Sequence, residues 1–378
     1  MPQMNGYRIA LLLILAGVFV ASNIYTLIPI YQVVAVDLET SSSMIVWGSM
    51  SFMFCYAIGL LVFGTLSDYH GWKIVFVIGM LLFSITSFLV ALSNSAEFLV
   101  LTRGLQGFAG GSFAPIAFAY TFDLYHGKFR ALVLSLINTG FLVAGIAGLL
   151  ISSSITGFWE WEYIYYLFGL VYFIIFLLFL KMLPNRMQPK VQGTVIPIKQ
   201  YLQFFRSKDL VFCYTITFSL LLTMVAFYDT VGRFLLPTHS ETDLFNVRLI
   251  GLTGAVLSLF GGTIISKVGI KGSLYLGFSL LIGSLLFMIL FPFYEVILYS
   301  SIFIVASISI LIPSIITIIG TLGSEARGSA VAFYSFTLLV GASFGSLLTS
   351  MFEFQGVLLF LLIYGAVNIF LTTRLSHK

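Results

Sequence analysis

The sequence predicts an all-α membrane protein of twelve transmembrane helices in two pseudo-symmetric six-helix bundles. Three observations carry that expectation: near-absence of charge, twelve apolar runs of spanning length, and a match between the two halves of the chain. Of 378 residues, 60% are hydrophobic, 8% are charged and 39 are Phe. A soluble domain carries about a quarter charged residues, so this chain has the bilayer as its solvent. A bilayer core takes about 20 apolar residues per helix. Runs of that size recur at roughly 9–30, 44–66, 74–93, 96–122, 131–154 and 160–182. They resume at roughly 210–234, 246–265, 272–291, 296–319, 328–350 and 355–374. The short alternating segments of a transmembrane barrel are missing. The first run is long enough to span and no small-residue cleavage site follows it, so no cleavable signal is expected.

Charge placement sets the orientation. With the first residues in the cytoplasm, every lysine and arginine except Arg103, Arg233 and Arg248 falls in an inner segment or at an inner helix end. The outer loops take acids: Asp37, Glu39, Glu97, Glu160, Glu162, Glu241, Asp243, Glu295 and Glu353. That is the positive-inside pattern, with both termini expected in the cytoplasm of a multi-pass cell-membrane protein. The net charge of +4 is then a topology signal and implies no nucleic-acid partner. Cys55 and Cys213 lack CxxC spacing, and His70, His126, His239 and His377 fall in loops or at the terminus. Neither a metal site nor a disulfide framework is indicated, and no cofactor is expected.

The stretch 184–209 interrupts the apolar pattern with Pro184, Pro189 and Pro197 and with basic residues through Lys208. It reads as a cytoplasmic linker between bundles at 1–183 and 210–378, and Ile198 to Phe205 could lie amphipathically on the membrane surface. The halves resemble each other. At an offset of 198, Gly64, Thr65, Gly71 and Lys73 fall on Gly262, Thr263, Gly269 and Lys271. At 197, Arg130, Leu142, Val143 and Gly148 fall on Arg327, Leu339, Val340 and Gly345. Shared Leu and Val arise easily between apolar helices; two aligned loop glycines and a lysine do not. Duplicated bundles of this kind are a transporter architecture, with the substrate site at the interface between halves.

Three local patterns sharpen this. The loop after the second run reads G-x-L-x-D-x-x-G-x-K through Gly64, Leu66, Asp68, Gly71 and Lys73. The fourth run contains "LTRGLQGFAGG" with Arg103, Gln106 and Gly107, and the first closes with "TLIPIYQVVAVDL". In these residues the chain resembles the major facilitator superfamily over essentially its whole length, and its drug:proton antiporter and metabolite exporter branches in particular. The fifth run departs from the antiporter pattern: it has Gly140, Ala144, Gly145, Gly148 and Leu149, without the proline. The resemblance implies that Asp68 lies near the start of the eleventh helix, at Gly328, and near an arginine, here Arg130. A carboxylate there is stabilised by the helix N-terminus and by charge-assisted hydrogen bonds. Gly64, Asp68, Gly71, Lys73, Arg130 and Gly328 are therefore candidate gating residues, a latch that favours the outward-open state. A plain topology signal is the competing reading, but Ser266 stands in the second half where the first has Asp68.

Polar residues within spans are the other candidates. An arginine at mid-membrane costs about 2.5–3.5 kcal/mol, so Arg103 requires a partner or a wet cavity. Gln106 shares its helix face, and Gly107 with Gly111 permits close helix packing. Arg103 reads equally as a binder of anionic groups or protons and as an anchor for backbone carbonyls. Asp229 and Arg233 are spaced to pair with each other, while Asp229 is also a candidate protonation site. Asn23, Tyr25, Asn138 and Tyr228 complete the expected substrate or proton pathway. The function expected is secondary active transport by alternating access: proton-driven export of a small organic compound, anionic or zwitterionic, such as a drug or a siderophore- or metallophore-like metabolite. A proton symporter or uniporter importing a metabolite is the alternative, and a non-transporting sensor ranks below it. No HExxH or GxSxG stands in a suitable place, so no enzyme is expected. The expected partners are the small-molecule substrate, protons and the lipid bilayer, with the chain a monomer.

Overall fold

The computed structural model describes residues 2–184, 197–235 and 237–375. Residues 185–196 of the expected linker, and with them Arg186, Pro189 and Lys190, lie outside the described residues, as do His377 and Lys378. The described residues form helices, and the backbone divides into two compact units. One comprises Met1–Leu124, Gly140–Gln200 and Glu325–Phe333; the other comprises Tyr125–Thr139, Tyr201–Ser324 and Tyr334–Lys378.

The first unit opens with α1 (Pro2–Ser22), α2 (Tyr31–Asp37), α3 (Ser42–His70) and α4 (Trp72–Ala91). It continues through α5 (Ala96–Gly110), α6 (Phe113–Leu124), most of α7 (Gly127–Thr156) and α8 (Glu162–Met182). Ser41 and Ser95 cap α3 and α5, each accepting a backbone N–H through its hydroxyl at 3.3 Å. Gly71 separates α3 from α4 at φ 92°, where a side chain would strain the turn. Aromatic rings fill the core, with Phe83 stacked on Tyr172 at 4.1 Å and Phe76 against Phe179 at 4.4 Å.

The second unit contains the latter half of α9 (Pro197–Phe204), with α10 (Lys208–Leu235), α11 (Glu241–Leu252), α12 (Gly261–Leu290) and α13 (Tyr294–Leu322). It ends with α14 (Arg327–Met351), whose first turns belong to the first unit, and α15 (Phe354–Arg374). The short α9 falls on the stretch expected to be amphipathic. Its Tyr201 and Phe204 are buried while Leu202 stays exposed. A capping box between Ser240 and Asp243 starts α11. Gly269 bends α12 at φ 74°, so both repeat glycines, Gly71 and Gly269, have the same positive-φ role. The second repeat match is structural too. An added methyl at Gly148 would collide with the Ser22 carbonyl, and one at Gly345 with the Leu222 carbonyl. Each glycine presses the fifth or eleventh span against the first span of its half.

Nine helices among the described residues are long and apolar enough to cross a membrane. Exposed Phe54, Ile74, Ile363 and Phe370 coat them with lipid-compatible side chains. The three other expected spans are present but broken. The first was expected to run to residue 30; helical pairing stops at Ser22 and resumes as a 3-10 turn, Ile28–Ile30, and α2. Pro29, in that turn, supplies no N–H to continue the ladder. The fourth breaks at Gly111–Ser112 because the ring of Pro115 crowds the carbonyl four residues earlier, at Gly111. The eighth passes through a 3-10 stretch, Thr253–Phe260.

Close packing of α3 on α5 depends on Gly107, where an added methyl would overlap the Phe52 carbonyl. Gly107→Ala is expected to destabilise the protein by about 1–3 kcal/mol through overpacking. Gly232→Ala, at a position with nothing within 4 Å, should not. Unfolding of both variants in mild detergent checks this, and equal stability would refute the backbone contact.

Candidate functional site

Two polar centres and one surface ion pair account for most of the expected site residues. The first centre is the carboxylate of Asp68, only 7% exposed although it sits near the end of α3. Its Oδ1 accepts the Gly328 N–H at 2.8 Å. Its Oδ2 accepts the N–H and the hydroxyl of Ser329, each at 2.8 Å. Both partners belong to the first turn of α14, whose N–H groups have no carbonyl within their own helix. The negative charge therefore lies on the positive end of the helix dipole. Close approach makes this possible: an added methyl at Gly64 would strike the Ala332 side chain, and one at Gly328 would strike Ser67 and Asp68. Gly71 closes α3 through its N–H to the Ser67 carbonyl at 3.0 Å, and Lys73 is half-buried in the first turn of α4. Arg130, in the first turn of α7, donates from Nε to the Tyr125 carbonyl at 2.7 Å and lies 2.9 Å from His126 Nδ1.

The second centre is Arg103, fully buried on α5. One terminal nitrogen donates to Asn23 Oδ1 and to Gln106 Oε1, both at 2.6 Å, and the other to the Asn23 carbonyl at 3.3 Å. The guanidinium lies 4.3 Å from the centre of the Phe52 ring, a cation–π contact. Gln106 continues to the Ser87 hydroxyl at 2.8 Å, and Asn23 Nδ2 to the Tyr172 hydroxyl at 3.2 Å. This node occupies the break between α1 and α2 and supplies its backbone with donors. The Asn23 carbonyl also accepts from Thr26, the Thr26 carbonyl from Ser152, and the Phe19 carbonyl from Tyr172. Irregular backbone survives at membrane depth only where such partners exist. Arg103 Nε is enclosed without an acceptor among the described residues, so the node holds one donor in excess. Tyr25 follows in the same break, half-buried against Gly145 and Gly148.

In the second unit, Asp229 and Arg233 pair at 3.2 Å on α10, with 34% and 55% of their side chains exposed. Asp229 also accepts the hydroxyl of Thr349 from α14. Tyr228 is half-buried next to them, with its hydroxyl beside Gly251. Asn138 is buried and donates to the Leu134 carbonyl of its own helix at 2.8 Å. The structure thus unites Gly64, Asp68 and Gly328 in one crossing, Asn23, Arg103 and Gln106 in one network, and Asp229 with Arg233. Ser329, Ser87, Tyr172 and Thr349 were not anticipated. Ser329 had a legible signal, a serine beside a helix start; the others come from distant spans and left none.

Comparison with known proteins follows the same lines. A profile described as Major Facilitator Superfamily matches residues 13–346. "Multidrug resistance protein 3" of Bacillus subtilis (strain 168) is 31% identical over 121 residues, 32% of this chain and 24% of that protein. "Inner membrane transport protein YnfM" of Escherichia coli (strain K12) is 28% identical over 270 residues, 69% of this chain and 64% of that protein. Each match spans less than two thirds of the relative's own length. Among solved structures, the transporter FucP superposes with a TM-score of 0.77 at 15% identity, covering 98% of this chain and 99% of that one.

The Arg103 node can be tested through Asn23. A hydrogen bond to a charged group contributes about 1.5–3 kcal/mol. Asn23→Leu should lower unfolding stability by about that amount, whereas Asn23→Asp keeps an acceptor and should remain near wild type. Wild-type stability for Asn23→Leu would remove Arg103 as the holder of the α1 break.

Proposed function

The chain belongs to the Major Facilitator Superfamily, and from that premise we propose that it is a proton-driven exporter of small organic compounds working by alternating access. It is a multi-pass membrane transporter, as members of the family are, and not an enzyme. Its two six-helix halves, 1–183 and 210–378 with 184–209 between them, rock about a shared substrate pathway, with both termini cytoplasmic. Export of drug-like compounds draws support from the relative named for multidrug resistance.

The observation that carries the reading is the threefold hydrogen bonding of Asp68 to the start of α14. It joins the second span to the eleventh, one from each half of the sequence. For the inner ends of those spans to part, all three bonds must break. Bonds to a charged group at about 1.5–3 kcal/mol each are comparable to the few kcal/mol that separate two conformations of a protein. Asp68 is therefore the latch that sets the population of the inwardly closed state. Gly64 and Gly328 give it reach, Gly71 and Lys73 shape the turn beyond it, and Arg130 belongs to the same gating set. Arg103, Gln106 and Asn23 hold the α1 break that borders the pathway, Tyr25, Asn138 and Tyr228 line it, and Asp229 with Arg233 braces its outer end.

Purified protein in liposomes under an imposed pH gradient, screened with a panel of cationic, neutral and anionic drugs, should show substrate-dependent proton flux. Asp68→Asn should insert and fold normally yet lose most of that flux. A variant that transports at near-normal rate would exclude the latch, and substrate transport that moves no protons would exclude proton coupling.

A further inference from the structure

A cavity of about 660 Å³ opens in the second unit where α10 and α14 end and α15 begins. That lies within the ~300–1,000 Å³ of ordinary small-molecule pockets. It belongs to neither polar centre of the first unit, and nothing above assigns it a ligand. Its wall combines one arginine, one carboxylate and three aromatic rings.

The charges do not cancel. Arg233 lines the cavity, but Asp229 holds it at 3.2 and 3.4 Å and neutralises it. Glu353 also lines the cavity, at the cap position of α15, and its side chain makes no capping bond. It is exposed, and its carboxylate has no partner among the described residues. The cavity therefore carries one uncompensated negative charge. Backbone dipoles push the balance the same way: α10 and α14 each present a carbonyl end and only α15 an amide end, which leaves a net partial negative charge.

The aromatic surface points the same way. Phe234 stacks on Phe354 with centroids 4.1 Å apart and planes at 17°. Phe234 is 39% exposed and Phe352 49%, which leaves ring surface open to the cavity they line. Ring faces attract cations and also accept apolar bodies. An organic anion would meet an arginine already neutralised and a bare carboxylate, and a neutral compound would leave Glu353 unused.

We infer that this cavity binds organic ammonium ions with an apolar or aromatic body, the charge set against Glu353 and the body against Phe234 and Phe352. Benzyltrimethylammonium is a suitable probe, titrated calorimetrically into the purified full-length chain, with phenylacetate as an anion of similar size. Saturable binding of the cation is expected, weakened about tenfold or more by Glu353→Gln and retained by Glu353→Asp. Phe352→Leu should weaken it several-fold and Phe352→Tyr should not, while phenylacetate should neither bind nor compete. On the wild type itself, affinity should fall as salt rises, because an exposed charge contact is screened within about 10 Å at 0.1 M. The inference is overturned by absent saturable binding, by undiminished binding to a folded Glu353→Gln, by salt-independent affinity, or by phenylacetate binding as tightly as the cation. Calorimetry on solubilised protein needs no gradient, so failure here and failure of proton-driven export are separately visible.

Discussion

Polar groups cut off from water must find partners within the protein, and the organisation of this chain follows from that requirement. A helix satisfies its own backbone, which is why nearly all of the described chain is helical. Every departure from helix needs side chains to take over. At the break after α1, the donors come from Arg103, Thr26, Ser152 and Tyr172. An arginine at this depth would itself be costly without acceptors, and the broken backbone and Asn23 supply them. Each makes the other tolerable, so the buried charge and the irregular turn form one unit.

The same requirement explains Asp68. The first turn of α14 exposes N–H groups that its own helix cannot satisfy, and the carboxylate answers two of them plus a hydroxyl. The second half of the sequence repeats the glycine turn but has Ser266 at the matching place. That hydroxyl donates to the Thr263 carbonyl of its own helix at 2.8 Å. A short neutral side chain stays local where an ionised one reaches a different span. The two copies therefore share the geometry of the turn, through Gly71 and Gly269, and only the first carries the charge.

Polar chemistry is divided between the units in kind as well as place. In the first unit it is buried and shared among several helices around Arg103. In the second unit the charged residues of the α10 end remain half in water, and the Asp229–Arg233 pair is the sort that contributes little to stability. Such a pair fixes the guanidinium and leaves the neighbouring Glu353 as the charge that an incoming molecule meets.

Composition and run length by themselves determined the fold class and the places of the spans, because a bilayer imposes a length and an apolarity that any single stretch of sequence must meet. The repeat was legible for a similar reason: positive φ at Gly71 and Gly269 and close approach at Gly148 and Gly345 are local demands that only glycine meets. The breaks in the first, fourth and eighth spans went unseen even though Pro29 and Pro115 mark two of them, since apolar content continues unbroken through each. Tertiary structure alone decided who satisfies whom. Arg103 takes its acceptors from Asn23, eighty positions away, and from Gln106, and Asp229 takes its donor from Thr349, 120 positions on. Periodicity records which face of a helix is apolar; it carries no record of which distant helix that face will meet.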